Sequence, residues 1–387
     1  MARIILPSAD GGTELLVTGA PSKFPTHADG PFNRVAFAAA HVVADPYADV
    51  DPWLETRLDW EATIAYRRHL WNLGFGVAEA MDTAQRGMGV DWPTSLDLIR
   101  HSIAAAKDVP GALLFSGAGT DNLSPGRVGI DEVLRAYEDQ IGQIEALGGR
   151  IVLMASRALA AAAEGPSDYI RVYNRLLRQV KEKVIIHWLG DMFDPALAGY
   201  WGHADLDAAT DVLIDIVTQN AAKIDGVKVS LLDKNREIGM RRRLPAGVRM
   251  YTGDDFNYAE LIAGDSMGYS DALLGIFDAI APAASAALSA LARGSEKEFH
   301  DILAPTVPLG RHIFKRPTLY YKTGIVFMAY LNGHQRHFVL AGGQQSARSV
   351  LYLAELFRLA DRAGLLVDPD AAVSRMAAVL KTYGVGT

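Results

Sequence analysis

Eight short apolar runs, each followed by a polar loop and a longer amphipathic stretch, recur along these 387 residues and leave few architectures open. They lie at 35–41, 75–80, 111–116, 150–156, 183–188, 226–231, 248–252 and 267–270. The stretches between them, such as 131–147 and 168–180, have the length that a crossover between parallel strands needs. Strands alternating with helices build a parallel sheet, and eight such units close into a barrel. An open doubly wound sheet is the other arrangement, but no glycine-rich phosphate turn supports it. The expected fold is therefore α/β, a (β/α)8 TIM barrel spanning residues 34–295. Residues 1–33 carry two apolar runs around Asp10-Gly11-Gly12 and read as an N-terminal β-hairpin placed as a lid over one end of the barrel. Residues 296–387 hold more amphipathic helix than the eighth unit uses and read as a C-terminal helical extension.

Composition narrows the partners. Acidic side chains outnumber basic ones, 45 to 38, for a net charge of −7, which argues against nucleic acid or an anionic membrane. The run Arg241-Arg242-Arg243 is short and reads as a solvated surface turn. No cysteine is present, so disulfides, thiolate metal sites and cysteine nucleophiles are excluded. No apolar run reaches the ~18 residues of a membrane span, and no basic segment followed by an apolar one opens the chain, so a cytoplasmic protein is expected.

The sixth run, Gly226-Val227-Lys228-Val229-Ser230-Leu231, carries a single charge. Strand residues alternate faces, so Val227, Val229 and Leu231 look one way and Gly226, Lys228 and Ser230 the other. In a closed barrel one face meets the helices and the other the lumen, where a lysine must be neutral or paired. Desolvation lowers its pKa from about 10.4 toward neutrality, and a neutral amine can attack a carbonyl to form an imine. A structural ion pair and a surface lysine are the plainer readings of Lys228.

Chemistry in such barrels sits on the loops where the strands end. Those positions supply His41, Glu79, Asp82, Thr83, Ser116, Ser156, Arg157, His187, Lys228, Asp254, Asp255 and Ser270. His187, on the strand beside that of Lys228, can move protons if its imidazole titrates near neutrality; a satisfied core histidine is the alternative. Asp254 and Asp255 can bind hydroxyls or cap a turn after Gly253. Arg157 can clamp an anion or lie in solvent. His41, Glu79, Asp82 and His187 show no local ligand spacing, so no metal is expected. Tyr320-Tyr321-Lys322 reads as the start of a helix.

Gly226-Val227-Lys228 on the sixth strand, Tyr251-Thr252-Gly253-Asp254-Asp255 after the seventh and Gly264-Asp265-Ser266-Met267-Gly268-Tyr269-Ser270 at the eighth resemble the dihydrodipicolinate synthase and N-acetylneuraminate lyase family. Phe115-Ser116-Gly117-Ala118-Gly119 is similar to the glycine-bearing third loop of that family, and Pro282 with Ala292-Arg293-Gly294-Ser295 extends the likeness into a helical tail. The resemblance spans roughly residues 35–366. It implies a distant branch of these class I aldolases, with Lys228 as the Schiff-base lysine, no cofactor, and assembly as a dimer or tetramer.

Two departures shape the expected chemistry. The family's Gly-Thr-Thr-Gly-Glu-like loop, which holds the carboxylate of a 2-keto acid, is here Ala80-Met81-Asp82-Thr83-Ala84-Gln85, and an anionic Asp82 opposes such a carboxylate. The family's proton-relaying tyrosine at the end of strand four gives way to Met154-Ala155-Ser156-Arg157, which passes that role to His187 with Ser156 or a water. The expectation is a Schiff-base-forming lyase or aldolase acting on a small carbonyl compound, a sugar-derived keto acid or keto sugar. Lys228 and His187 would be catalytic, and Asp82, Thr83, Ser116, Ser156, Arg157, Asp254 and Ser270 would bind substrate. Two alternatives stand beside it. One is a metal-assisted isomerase or hydrolase in which Glu79, Asp82 and His187 hold a divalent ion; the other is a non-catalytic barrel that binds a small molecule.

Overall fold

β1 (Arg3–Pro7) and β2 (Thr13–Val17) form the expected antiparallel hairpin in a computed structural model that describes residues 2–124, 126 and 128–385. β3 (Ala36–Ala39), β4 (Gly76–Glu79), β5 (Leu114–Ala118), β6 (Arg150–Leu153), β7 (Val184–Leu189), β8 (Ile224–Ser230), β9 (Arg249–Thr252) and β10 (Asp271–Leu274) then run parallel in sequence order. β10 pairs with β3, so the sheet closes into the (β/α)8 TIM barrel read from the sequence. Helix starts are set locally. Asp59 accepts from Ala62 N–H at 2.9 Å to open Trp60–Asn72, and Ser156 accepts from Leu159 N–H at 2.9 Å to open Arg157–Ala162.

Two strands lie elsewhere than expected. β5 begins at Leu114 rather than 111, because Gly111 takes a φ of +75° and belongs to the turn before it. The eighth strand is β10, not 267–270. There a bridge between Asp265 and Gly268 closes a turn, and Met267 is 74% exposed, so the apolar residues that suggest a strand face solvent. Asp271 is a poor strand former, yet it opens β10 because its carboxylate accepts from Val35 N–H at 2.7 Å.

Alternation sorts the apolar residues into two cores. Phe37, Phe115, Val152, Ile185, Tyr251 and Leu273 fill the lumen, while Val227 and Val229 pack between barrel and helices. Full burial of each such side chain contributes roughly 1.5–3 kcal/mol. Phe37 meets Phe115 and Tyr251 edge-on, with ring centroids 5.4 and 5.9 Å away. Gly226 makes room for Tyr251, since a Cβ there would lie 2.5 Å from the ring. Toward the amino ends of the strands, Asp225 accepts from the Tyr251 hydroxyl at 2.6 Å and from Arg249 at 2.9 Å. The lumen is filled below the level of Lys228, which leaves the carboxyl face for chemistry.

Helix Tyr321–Leu331 is buried along its whole length, as its largely apolar circumference requires. It carries C-terminal residues to the barrel mouth. The hairpin packs instead on helix Val350–Arg362, where Arg358 donates to Pro7 O at 2.9 Å and pairs with Glu14. It braces the helical extension rather than forming the expected lid. Among the described residues, no helix is long and apolar enough to cross a membrane.

Candidate active site

Lys228 stands on the lumen face of β8, in register with His187 on β7 and Tyr251 on β9. It is 7% exposed. Burial lowers the pKa of its amine, and the carboxylates of Asp255 and then Asp82 pull it partly back. Room for the side chain depends on Gly253. A Cβ there would lie 2.2 Å from Ser230 Oγ, 2.7 Å from Val229 O and 3.0 Å from Lys228 Cε, and the backbone contact cannot yield.

The lysine lines a cavity of about 20 Å³, room for about one water-sized group, together with Asp82, Thr83, Ser230, Asp255, Phe314 and Tyr321. Asp82 and Leu189 are shared with a chamber of about 690 Å³, whose wall includes Thr120, Ser156, Arg157, His187 and Asp194. That volume suits a small molecule.

Of the two adjacent aspartates, Asp255 faces the amine. It accepts from Ile276 N–H at 2.8 Å, and burial pushes its pKa up to about 7 despite that bond and the nearby lysine. Acid and amine both shift toward their neutral forms. Asp254 turns away. It accepts from Phe256 N–H at 2.9 Å, Asn257 N–H at 3.0 Å and the Asn257 amide at 2.8 Å, so it folds its own turn instead of reaching the cavity.

Tyr321 is the site residue that sequence reasoning misses. Its hydroxyl meets Thr83 Oγ1 at 2.8 Å, and burial holds its pKa well above the ordinary tyrosine value. A hydroxyl pair thus stands beside the amine. The signal in the sequence is its place at the head of a helix that is apolar from Gly324 to Leu331, which has to be enclosed by the rest of the fold. Its neighbour Lys322 is also buried, donates to Leu319 O at 3.0 Å, and has its pKa lowered to about 8, chiefly by that burial.

His187 lines the chamber. Its Nε2 lies 3.3 Å from Ser230 Oγ, and its buried Nδ1 has no partner among the described residues. Burial first, then Lys228, drives its pKa well below 6.5. The ring is therefore a neutral hydrogen-bonding group, not the imidazole titrating near neutrality that a proton shuttle requires.

Asp82 and Thr83 ride on the 3-10 turn Asp82–Ala84, set between Ala80 at φ +51° and Gln85 at φ +62°. A buried ion pair anchors this turn from behind. Arg67 Nε and Nη2 donate to Glu79 at 2.9 and 2.8 Å, and Glu79 also accepts from Ala80 N–H at 2.9 Å and from Ser102. Glu79 thus faces the helices and cannot join Asp82 and His187 around an ion. Among the described residues, no three histidine, aspartate or glutamate side chains are grouped as a metal would need. His41 is committed to Asp278, with Nδ1 2.8 Å from Oδ2.

Ser156 and Arg157 reach the chamber wall. Ser156 Oγ lies 2.7 Å from Thr120 Oγ1, while Arg157 pairs with Asp194 and is largely in solvent. Ser116 and Ser270 line neither cavity. Ser116 follows Phe115, a lumen residue, so alternation turns it toward the helices. Ser270 precedes β10 at its amino end and donates to Glu237 at 2.7 Å, an acid whose burial raises its pKa to about 8. One is misplaced by face, the other by strand end.

No curated protein matches the chain in sequence. Solved structures of similar fold include YagE, a prophage protein of the dihydrodipicolinic acid synthase family from E. coli in complex with pyruvate. It superposes with a TM-score of 0.66 at 13% identity, covering 86% of this chain and 99% of that one. Dihydrodipicolinate synthase from Oceanobacillus iheyensis gives 0.60 at 12% identity, covering 91% and 97%. The chloride-inhibited enzyme from Acinetobacter baumannii, complexed with pyruvate, gives 0.63 at 13%, covering 86% and 99%. The likeness read from the sequence is met at the level of fold. A family model described as "Protein of unknown function (DUF993)" matches residues 4–385, nearly the whole length, and the chain belongs to that family.

Proposed function

We propose that this protein is a Schiff-base-forming lyase of the class I aldolase kind. Its substrate is a small carbonyl compound that sets its carbonyl in the Lys228 cavity and its polar body in the chamber. The observation that carries this reading is the Lys228 amine itself, inside the barrel, desolvated, and enclosed with a carboxyl group and a hydroxyl pair. The neutral amine adds to the carbonyl carbon, and the oxygen leaves as water after protonation. As a base such as Asp255 takes the proton of the β-hydroxyl, that oxygen forms a carbonyl, the Cα–Cβ bond breaks and its electrons pass into the iminium, giving an enamine and a carbonyl fragment. Protonation of the enamine carbon and hydrolysis then free the lysine. Asp255, titrating near neutrality, suits the proton transfers, and Tyr321 with Thr83 supplies a second donor.

The fold shared with proteins bound to pyruvate supports imine chemistry. Asp82 beside the amine, however, opposes a carboxylate next to the carbonyl, so a neutral keto sugar suits this end better than a 2-keto acid. Borohydride reduction with dihydroxyacetone or pyruvate, followed by intact mass, tests both points. An adduct with dihydroxyacetone that is absent in Lys228→Arg is expected. A wild-type protein that gives no adduct with keto sugars or keto acids sinks the proposal.

Two variants separate the proton-transfer groups. Tyr321→Phe removes a hydroxyl and little volume. Its turnover should fall by about a hundredfold to ten-thousandfold while the lysine still forms its adduct, as read by kinetics beside trapping. Asp255→Asn should act on pH dependence. A carboxyl whose folded pKa is about 7, against about 3.9 when unfolded, weakens folding as pH rises between those values. Urea melts from pH 4 to 7 should show that slope in the wild type and a flatter one in Asp255→Asn.

A further inference from the structure

A second cavity lies outside the barrel. Its volume of about 480 Å³ is that of a small-molecule site, and it is bounded by the segment 21–26, helix Trp60–Asn72 and helix Tyr321–Leu331. Phe24, Met328, Ala329 and Leu365 make most of its wall apolar. One end is different. There Tyr66 packs between His41 and His334, with ring centroids 4.3 and 4.9 Å away, and His334 lies 4.6 Å from His69.

The hydrogen bonds of this cluster do not close. Tyr66 donates its hydroxyl to Asp278 O at 2.6 Å, and His41 Nδ1 is held by the Asp278 carboxylate at 2.8 Å. The Nε2 atoms of His41 and His69 are buried with no partner among the described residues. A dry, unpaired ring nitrogen is costly unless something meets it. His69 and His334 line the cavity, so a molecule inside can do so.

We propose that this cavity binds a small, uncharged, mostly apolar molecule carrying one hydroxyl, which bonds the free imidazole nitrogen of His69. A hydroxyl both donates and accepts, so it satisfies either tautomer of the ring. Burial lowers the pKa of His69 and takes that of His334 to about 3, so neither ring offers a positive charge to an anion. The Asp278 carboxylate on the same wall opposes an anion further. The Lys228 site plays no part in this binding.

Titration of the full chain with 2-naphthol, read by the methyl-13C resonance of Met328, tests it. A saturable shift is expected, with naphthalene and 2-naphthoate each binding at least about tenfold more weakly. His69→Phe should weaken 2-naphthol by about tenfold, and Ala329→Trp should fill the cavity and abolish the shift. The Lys228 adduct should form as before in both variants. If Ala329→Trp does not fold, the wild-type and His69→Phe titrations still decide. The proposal is overturned by no saturable shift in the wild type, by equal binding of naphthalene, by tighter binding of 2-naphthoate, or by unchanged affinity in His69→Phe. Zinc displacing 2-naphthol at equimolar concentration would also overturn it, since the occupant would then be a metal.

Discussion

Lys228→Met should cut turnover by roughly ten-thousandfold or more on any carbonyl substrate the wild type accepts, and should abolish the borohydride adduct. Methionine keeps most of the lysine's length and flexibility and removes only the nitrogen, so the barrel repacks with little strain. The variant should melt no lower than the wild type. Its pH response has a definite sign. Burial depresses the folded pKa of Lys228, so the folded state binds its proton less tightly than the unfolded chain. That penalty is present in full below the folded pKa and fades as pH rises toward about 10.4. Lys228→Met lacks the slope, and its stability advantage should shrink across the alkaline range. Lys322 offers the sharpest competing outcome, because it is a second buried lysine with a lowered pKa. An adduct that persists in Lys228→Met and disappears in Lys322→Met would move the nucleophile there.

Arg67→Met should cost about 3–5 kcal/mol of folding free energy, measured by urea denaturation. Both members of the Arg67–Glu79 pair have fully buried side chains, and removal of the cation leaves a buried carboxylate without its counter-charge. The same carboxylate holds Ala80 N–H, so the turn that carries Asp82 and Thr83 loosens and turnover falls in the folded fraction too. Replacing both partners, Arg67→Met with Glu79→Leu, should recover much of the stability, because no unpaired charge then remains. A loss below about 1 kcal/mol in Arg67→Met would show that water reaches Glu79 and that the pair does not hold the turn.

What the sequence reveals here follows the range of the interactions. Period-two runs and their crossovers are local, so the barrel and the inward face of Lys228 can be read directly. Asp254 and Asp255 are both plausible until backbone geometry decides, since adjacent residues on a turn point apart. Ser116 fails for the same reason on a strand, where one step of register exchanges lumen for helix layer. The eighth strand is misread because Met267 and Tyr269, apolar by type, sit on a solvent-facing turn. Tyr321 is hidden by distance. Its partner Thr83 is 238 residues away, and no local pattern announces a contact of that separation.

Because Phe314 and Tyr321 help enclose the amine, Lys228 and its surroundings are not made at the same moment. A growing polypeptide exposes all eight strands at the ribosome before the tail that completes the pocket has been translated. Until that tail docks, the amine meets bulk water, which favours its protonated form. A cut ahead of Tyr321 would take away one wall of that cavity and return the amine to the same solvated condition.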